Sequence, residues 1–308
     1  MGDIFLHILT QNVIPLSIMI GLGFALQRAF KLDLRTLSKL VFYLFSPVVV
    51  FTLLYKSEFS GSVALQVLLF LLVFYTMLIG VTELVIRLRR LRGGMSVAMR
   101  NSVLFYNSAN FGIPLNQLVF AGNPFTLSIQ LIVMLIQNLL PNTLGIFMVN
   151  SGKMTAKEAL KVVFLYPAVY CVPLSLLMKT YQVPIPQPIL TPLEYITDGF
   201  IAIALITLGA QLGSMKWSLK RFDLIFLSNA LRLLVSPALG FLAVWVLGYD
   251  GLLAQALVLS CAVPTSLSSM LIAVEFNNEP DFASQAVFTS TVFSIVTVAV
   301  VIAFLQHL

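Results

Sequence analysis

Asn107, Ser108, Asn110, Gly112, Pro114 and Asn116 fall within NSANFGIPLN, inside a stretch otherwise apolar enough to cross a bilayer. Amides and hydroxyls of this kind bind rather than break bonds, because they exchange hydrogen bonds without a titrating proton. Pro114 lacks an amide hydrogen and its ring collides with the preceding turn, so a helix cannot run through it unchanged. Gly112 beside it opens backbone conformations closed to other residues. In lipid each freed carbonyl or amide needs a partner, so these side chains either repair a break or hold a ligand within it. A second interrupted segment, LSCAVPTSLSSMLIAVEF, repeats the pattern with hydroxyls: Pro264 followed by Thr265, Ser266, Ser268 and Ser269. If the breaks cross, half-helix N-termini starting near Pro114 and Pro264 bring positive dipole ends and free amides to one point. That point favours an anion, in particular a carboxylate, and neither break holds a lysine or arginine to trap it.

Other polar groups lie inside apolar stretches. Gln137, Asn138 and Asn142 either line the site beside Asn107 or bond helix to helix. Arg232 is costly at depth unless paired or wet, so it either binds an anionic substrate or holds carbonyls freed by a neighbouring break. Glu194 and Asp198, four apart on one helical face, serve an interfacial role or proton coupling; Glu83 is a partner for the basic edge RLRRLR. No cluster has metal-ligand spacing, Cys171 and Cys261 carry no disulfide pattern, and no cofactor motif is present. With His7 and His307 at the chain ends and no HExxH, GxSxG or P-loop, the residues point away from an enzyme and from an ATP-driven pump.

The elements that must carry these groups are membrane helices. Of 308 residues 59% are hydrophobic and 10% charged, with a mean hydropathy of +0.99, which excludes an ordinary soluble domain. The +6 net charge lies in short runs between apolar spans with no basic aromatic patch, so nucleic acid is not a partner. A span needs about 20 apolar residues, and segments near 4–27, 36–55, 62–86, 97–120, 125–149, 159–179, 191–213, 222–247, 252–275 and 282–306 qualify. The first reads as a retained helix rather than a removed signal. Pro264 follows Pro114 by 150 residues, close to half the chain, and Pro47 matches the region of Ala202. Two five-span repeats, 1–152 and 153–308, are therefore expected within one domain, 1–308. An odd span number makes the second repeat inverted, the plan of many secondary transporters.

The segments NSANFGIPLNQLVFAG, LRLLVSP, LITLGAQL and FASQAVFTSTVFSIVTVAVVI resemble those of the auxin efflux carrier family, bacterial relatives of the plant PIN exporters. The likeness runs over essentially the whole chain, and the spacing from Asn107 to Gly112 and Pro114 is its most specific part. It implies the sodium/bile-acid symporter-like, NhaA-like fold: all-α, ten transmembrane helices in two inverted repeats, with helices 4 and 9 broken and crossed in a mobile domain. It also implies a scaffold of spans 1, 2, 6 and 7 that mediates a homodimer, and small organic anions as substrates, auxin or dicarboxylates such as malate and malonate. The stretch AIAL at Ala202 departs from the family's proline-containing pattern.

The expected function is thus a secondary transporter of an organic anion working by an alternating-access elevator, with a channel or carboxylate receptor as the rival class. The substrate-binding candidates are Asn107, Asn110, Gly112, Pro114, Gln137, Asn138, Pro264, Thr265, Ser266 and Ser268, with Asp198 and Arg232 as coupling or charge-pairing candidates and no metal or cofactor.

Of the 18 basic residues, 15 lie in RAFKLDLRTLSK, RLRRLRGG, NSGKMTAKEALK and SMKWSLKRFD or at Arg100, all on one side of a ten-span chain. The positive-inside rule makes that side cytoplasmic in the cell membrane, with both termini outside. In a background lacking Cys171 and Cys261, Ser57→Cys and Ser96→Cys are expected to react with impermeant maleimide from opposite sides. Labelling of both from outside intact cells contradicts the ten-span order.

Overall fold

The computed structural model describes residues 9–56, 61–149, 164–215 and 221–308. In chain order the helices are α1 (Thr10–Phe30), α2 (Leu34–Lys56), α3 (Gly61–Leu88), α4 (Gly94–Leu104), α5 (Ile113–Val119), α6 (Pro124–Val149), α7 (Ala168–Thr180), α8 (Gln187–Ser214), α9 (Phe222–Leu247), α10 (Gly251–Cys261), α11 (Leu267–Glu275) and α12 (Pro280–Leu305). Seven of these, α1, α2, α3, α6, α8, α9 and α12, are long and apolar enough to cross a membrane. Among the described residues every element is helical, so the chain is an all-α membrane protein. The expected fourth and ninth spans are each a pair of half-helices, α4 with α5 and α10 with α11. The expected sixth span begins at 159, outside the described residues, and continues as α7.

Prolines shape several helices by widening them. π-helical turns at Leu9–Val13, Val41–Phe45, Ser108–Gly112 and Leu231–Val235 each end two positions before a proline: Pro15, Pro47, Pro114 and Pro237. The ring needs room where the carbonyl four residues back would sit, and one wide turn supplies it without ending the helix. Where Ala202 stands, α8 runs as unbroken α-helix from Gln187 to Ser214. A fifth wide turn, Pro141–Gly145, starts at its proline.

α1 and α8 touch backbone to backbone. A Cβ on Gly209 would sit 2.0 Å from the Ile20 carbonyl oxygen, and one on Gly23 would sit 2.2 Å from that of Ile206. α2 packs along α7 and α8, where Tyr55 Oη donates to the Val183 carbonyl at 3.0 Å and Lys56 pairs with Glu194 at 2.6 Å. These four helices form one side of the molecule; the remaining helices pack around the half-helix pairs.

Contacts between loops sort the helix ends onto two faces. Arg89 pairs with Asp223 at 2.9 Å, Arg221 reaches Glu279 at 4.0 Å, and Asn278 donates to the Gly94 carbonyl at 3.2 Å. This basic face gathers the chain near 89–94, 221–223 and 278–279. At the opposite face the Gly251 amide donates to the Leu308 carbonyl, and Tyr249 to the Gln66 carbonyl.

The glycine seam predicts a sharp positional contrast. Gly209→Ala forces backbone apart and is expected to destabilise the protein by about 1–3 kcal/mol, read as an earlier thermal transition in detergent. Gly21→Ala, where an added Cβ meets nothing within 4 Å, is expected to be neutral. Equal transitions for both variants contradict the close approach.

Candidate functional site

Leu104 ends α4 and Cys261 ends α10; the chain is extended at Phe105 in the first case and, after a turn at Ala262, at Ser266 in the second, before the next half-helix begins. The two extended pieces pair antiparallel at Tyr106 and Thr265. The Asn107 amide donates to the Pro264 carbonyl at 2.8 Å, and the Ser266 amide donates to the Phe105 carbonyl at 2.9 Å. The bridge is symmetric: Phe105, Tyr106 and Asn107 play the parts of Pro264, Thr265 and Ser266. Asn107 then caps the following turn through Oδ1, which accepts from the Asn110 amide at 3.2 Å, and Ser266 Oγ accepts from the Ser268 amide at the same distance.

These bonds correct the sequence reading in two respects. The first break opens at Phe105–Asn107, ahead of the wide turn that leads to Pro114, the second residue of α5, whereas Pro264 lies within the second break itself. The amides of Asn110 and Ser268 are capped by side chains rather than free. Gly112 has φ −68°, an ordinary helical value; its part is spatial, since an added Cβ would fall 2.5 Å from Gln130 Nε2 and push that amide off Ser108.

The remaining freed groups find partners one by one. Thr265 Oγ1 donates to the Ser102 carbonyl at 2.8 Å, Tyr75 Oη to the Leu104 carbonyl at 3.3 Å, and the Thr265 amide to Ser290 Oγ at 3.2 Å. Gln137 accepts from the Tyr106 amide at 3.1 Å and donates to Tyr75 Oη, so it holds the bridge. Gln130 Nε2 donates to Ser108 Oγ at 2.7 Å and to its carbonyl at 3.1 Å. Asn116 is occupied with Thr126 on α6. Ser290, Gln130 and Tyr75 were not singled out in the sequence; Gln130 and Tyr75 are polar groups within apolar spans, the signal that marked Gln137.

Arg232 is the group that joins both breaks. It sits in the wide turn of α9, is 0% exposed, and donates through Nη1 to the Val103 carbonyl at 2.9 Å and through Nη2 to the Cys261 carbonyl and Ser236 Oγ. Its guanidinium lies 4.4 Å from the centroid of the Tyr106 ring, within cation–π range. One side chain thus closes the C-terminal carbonyls of α4 and α10 together, the second of the two readings left open by the sequence. All these partners are neutral, and among the described residues no carboxylate pairs with its charge.

Two further residues are placed elsewhere. Glu83 pairs with Arg100 through both carboxylate oxygens and lies close enough to Arg87, the first residue of RLRRLR, to feel its charge. Glu194 is engaged by Lys56 near the Gln187 end of α8, and Asp198 is exposed on the same helix.

Beside the bridge lies a cavity of about 450 Å³. Three helix faces wall it: Arg35, Ser38, Lys39 and Phe42 of α2; Asn138, Asn142 and Ile146 of α6; Ser268, Leu271, Ile272 and Glu275 of α11, closed by Tyr166. Asn138 Nδ2 donates to Tyr166 Oη at 2.8 Å. The cavity thus joins Asn138 to Ser268, while Asn107, Asn110, Gly112, Pro264, Thr265 and Ser266 form the bridge and caps next to it. Asn107 Nδ2 is buried and has no hydrogen-bond partner among the described residues.

Broken helices bridged at depth, walled by apolar spans, are the architecture of a membrane carrier, and comparison with known proteins agrees. A family described as "Membrane transport protein" matches residues 8–302. The chain belongs to this family. The likeness to auxin efflux carriers read from the motifs is therefore borne out over nearly the whole chain. A relative in Methanothermobacter thermautotrophicus (strain Delta H), an uncharacterized transporter, is 24% identical over 294 residues, covering 94% of this chain and 95% of its own.

Within this transporter, Arg232→Met removes the donor to the Val103 carbonyl, a loss of about 1–3 kcal/mol for one stranded buried group; Cys261 keeps Ser236, which donates at 2.9 Å. An earlier thermal transition in detergent is expected, with Arg232→Lys intermediate. Arg232→Met as stable as the parent contradicts the bridging role.

Proposed function

We propose that this membrane transport protein is a secondary transporter of small organic anions, auxin-like carboxylates or dicarboxylates such as malate and malonate. The observation that carries the reading is the charge balance at the bridge. Two helix C-termini, the negative ends of their dipoles, are closed by a buried arginine with no acidic partner among the described residues, while the N-terminal turns after Asn107 and Ser266 present positive ends. The centre is therefore net positive in a poorly screened interior, and an anion is what it stabilises. The unpartnered Asn107 Nδ2 and the adjoining cavity give that anion a donor and room.

On this reading the chain has ten spans in inverted repeats, 1–152 and 153–308, inserted in the cell membrane with both termini outside. The symmetric pairing of Phe105–Asn107 with Pro264–Ser266 supports such a relation between the halves. The half-helix pairs move as a unit against a scaffold of α1, α2, α7 and α8, which carries a homodimer contact, and alternating access follows from that movement.

Asn107→Ser tests the site without removing the cap, since serine performs the same capping in the other half. Losing a hydrogen bond to a charged group costs about 1.5–3 kcal/mol, so half-saturation for carboxylate counterflow in proteoliposomes is expected to rise roughly 10- to 150-fold. Thermal stability is expected to be nearly unchanged. Saturable counterflow identical to the parent rules out Asn107 as a ligand, and conductance without counterflow identifies a channel instead.

A further inference from the structure

The cavity beside the bridge is not uniform along its depth. Among largely apolar lining, Asn138, next to Gln137, and Ser268, next to the Ser266 cap, lie toward the bridge, whereas the mouth holds Arg35 and Lys39 on α2 and Glu275 on α11. Arg35 and Lys39 are one turn apart and both are exposed, as is Glu275. No ion pair within 4.0 Å joins them among the described residues. The nearest acidic neighbour on their own element is Asp33, the N-cap of α2, whose two oxygens accept from the Arg35 amide and the Thr36 hydroxyl. Both walls end at the basic face: α2 starts there, and α11 stops just before Asn278, which contacts Gly94.

The geometry points to Arg35 and Lys39 as specificity-determining residues that draw anions into the cavity from the basic face, with Glu275 opposing them. This rests on the organic-anion reading above. Exposed cations four residues apart do not form a tight site, because water and salt screen them at contact. They act at a distance: two like charges on one wall of a cleft between low-dielectric walls bias the field there and raise the capture rate of the opposite sign, an effect that the single opposing charge weakens without cancelling. Glu275 lies on the same mouth with the opposite sign, so its removal and theirs act in opposite directions. A packing role for any of the three predicts no such sign reversal.

The test is uptake of labelled malate, malonate or auxin, whichever the parent carries, into proteoliposomes with the protein sorted by orientation. Substrate is offered to the basic face or to the opposite face. For the Arg35→Gln/Lys39→Gln double variant, kcat/KM from the basic face is expected to fall about tenfold at low ionic strength. The deficit is expected to close near 1 M potassium chloride, where the screening length is ~3 Å. Values for kcat, and for uptake from the opposite face, are expected to match the parent. Glu275→Gln is expected to raise kcat/KM from the basic face under the same low-salt conditions. A parent that carries none of these anions overturns this inference and the functional reading together. A parent that carries one, with variants unchanged, or changed equally from both faces or at all salt concentrations, overturns this inference alone.

Discussion

The hydrocarbon core of a bilayer offers no water, so each backbone N–H or C=O released from a helix must be met by protein. The structure around Tyr106 and Thr265 follows from that single constraint. Breaking one helix at this depth would strand a turn of donors and acceptors; breaking two and laying the breaks antiparallel lets each supply part of what the other lacks. What the bridge leaves over is met by side chains from four other helices, Tyr75 of α3, Gln137 of α6, Arg232 of α9 and Ser290 of α12. The polar residues within the apolar spans therefore form one connected arrangement rather than scattered kinks.

Arg232 shows how a repair becomes an electrostatic asset. A neutral donor such as serine would satisfy one carbonyl; the guanidinium fork satisfies two that belong to different helices, and so fixes the distance between them. The cost is a fully buried cation, which the surrounding carbonyls and the face of Tyr106 offset in part. Because those partners carry only partial charges, the excess positive charge stays at the centre of the membrane protein. On the proposed function that excess attracts the substrate without touching it.

Much of this was legible in the sequence and some of it was not, for identifiable reasons. Helix positions followed from apolar length, and the wide turns follow from Pro15, Pro47, Pro114 and Pro237 because a missing N–H and a ring clash act locally. The exact place of each break did not follow from the prolines, since Pro264 lies inside the extended bridge whereas Pro114 lies beyond it. A proline marks that a helix is disturbed nearby and not which side of the proline gives way. The choice between the two roles of Arg232 depended on where Val103 and Cys261 come in space, 129 and 29 residues away along the chain, and single-sequence patterning holds no such information. Gly112 was found for the wrong reason: the need is for Gln130 to approach, a tertiary fact.

The same bonds indicate where relative movement can occur. The bridge and its side-chain braces are directional, and the glycine seam of α1 and α8 interlocks backbones; neither surface can slide without losing specific contacts. Between them lies a different kind of surface, on which Ile113, Leu127, Leu131 and Met134 meet Val49, Val50, Phe200 and Ala204. Apolar contacts of this sort are non-directional, so displacement exchanges one set for another at little cost. Asn138 crosses the surface to Tyr166 at the rim of the cavity, where a hydrogen bond can be remade by water or by a ligand. If access alternates as proposed, this apolar surface is the plane of travel, and the Asn138 contact is the one whose breaking the arriving substrate can compensate.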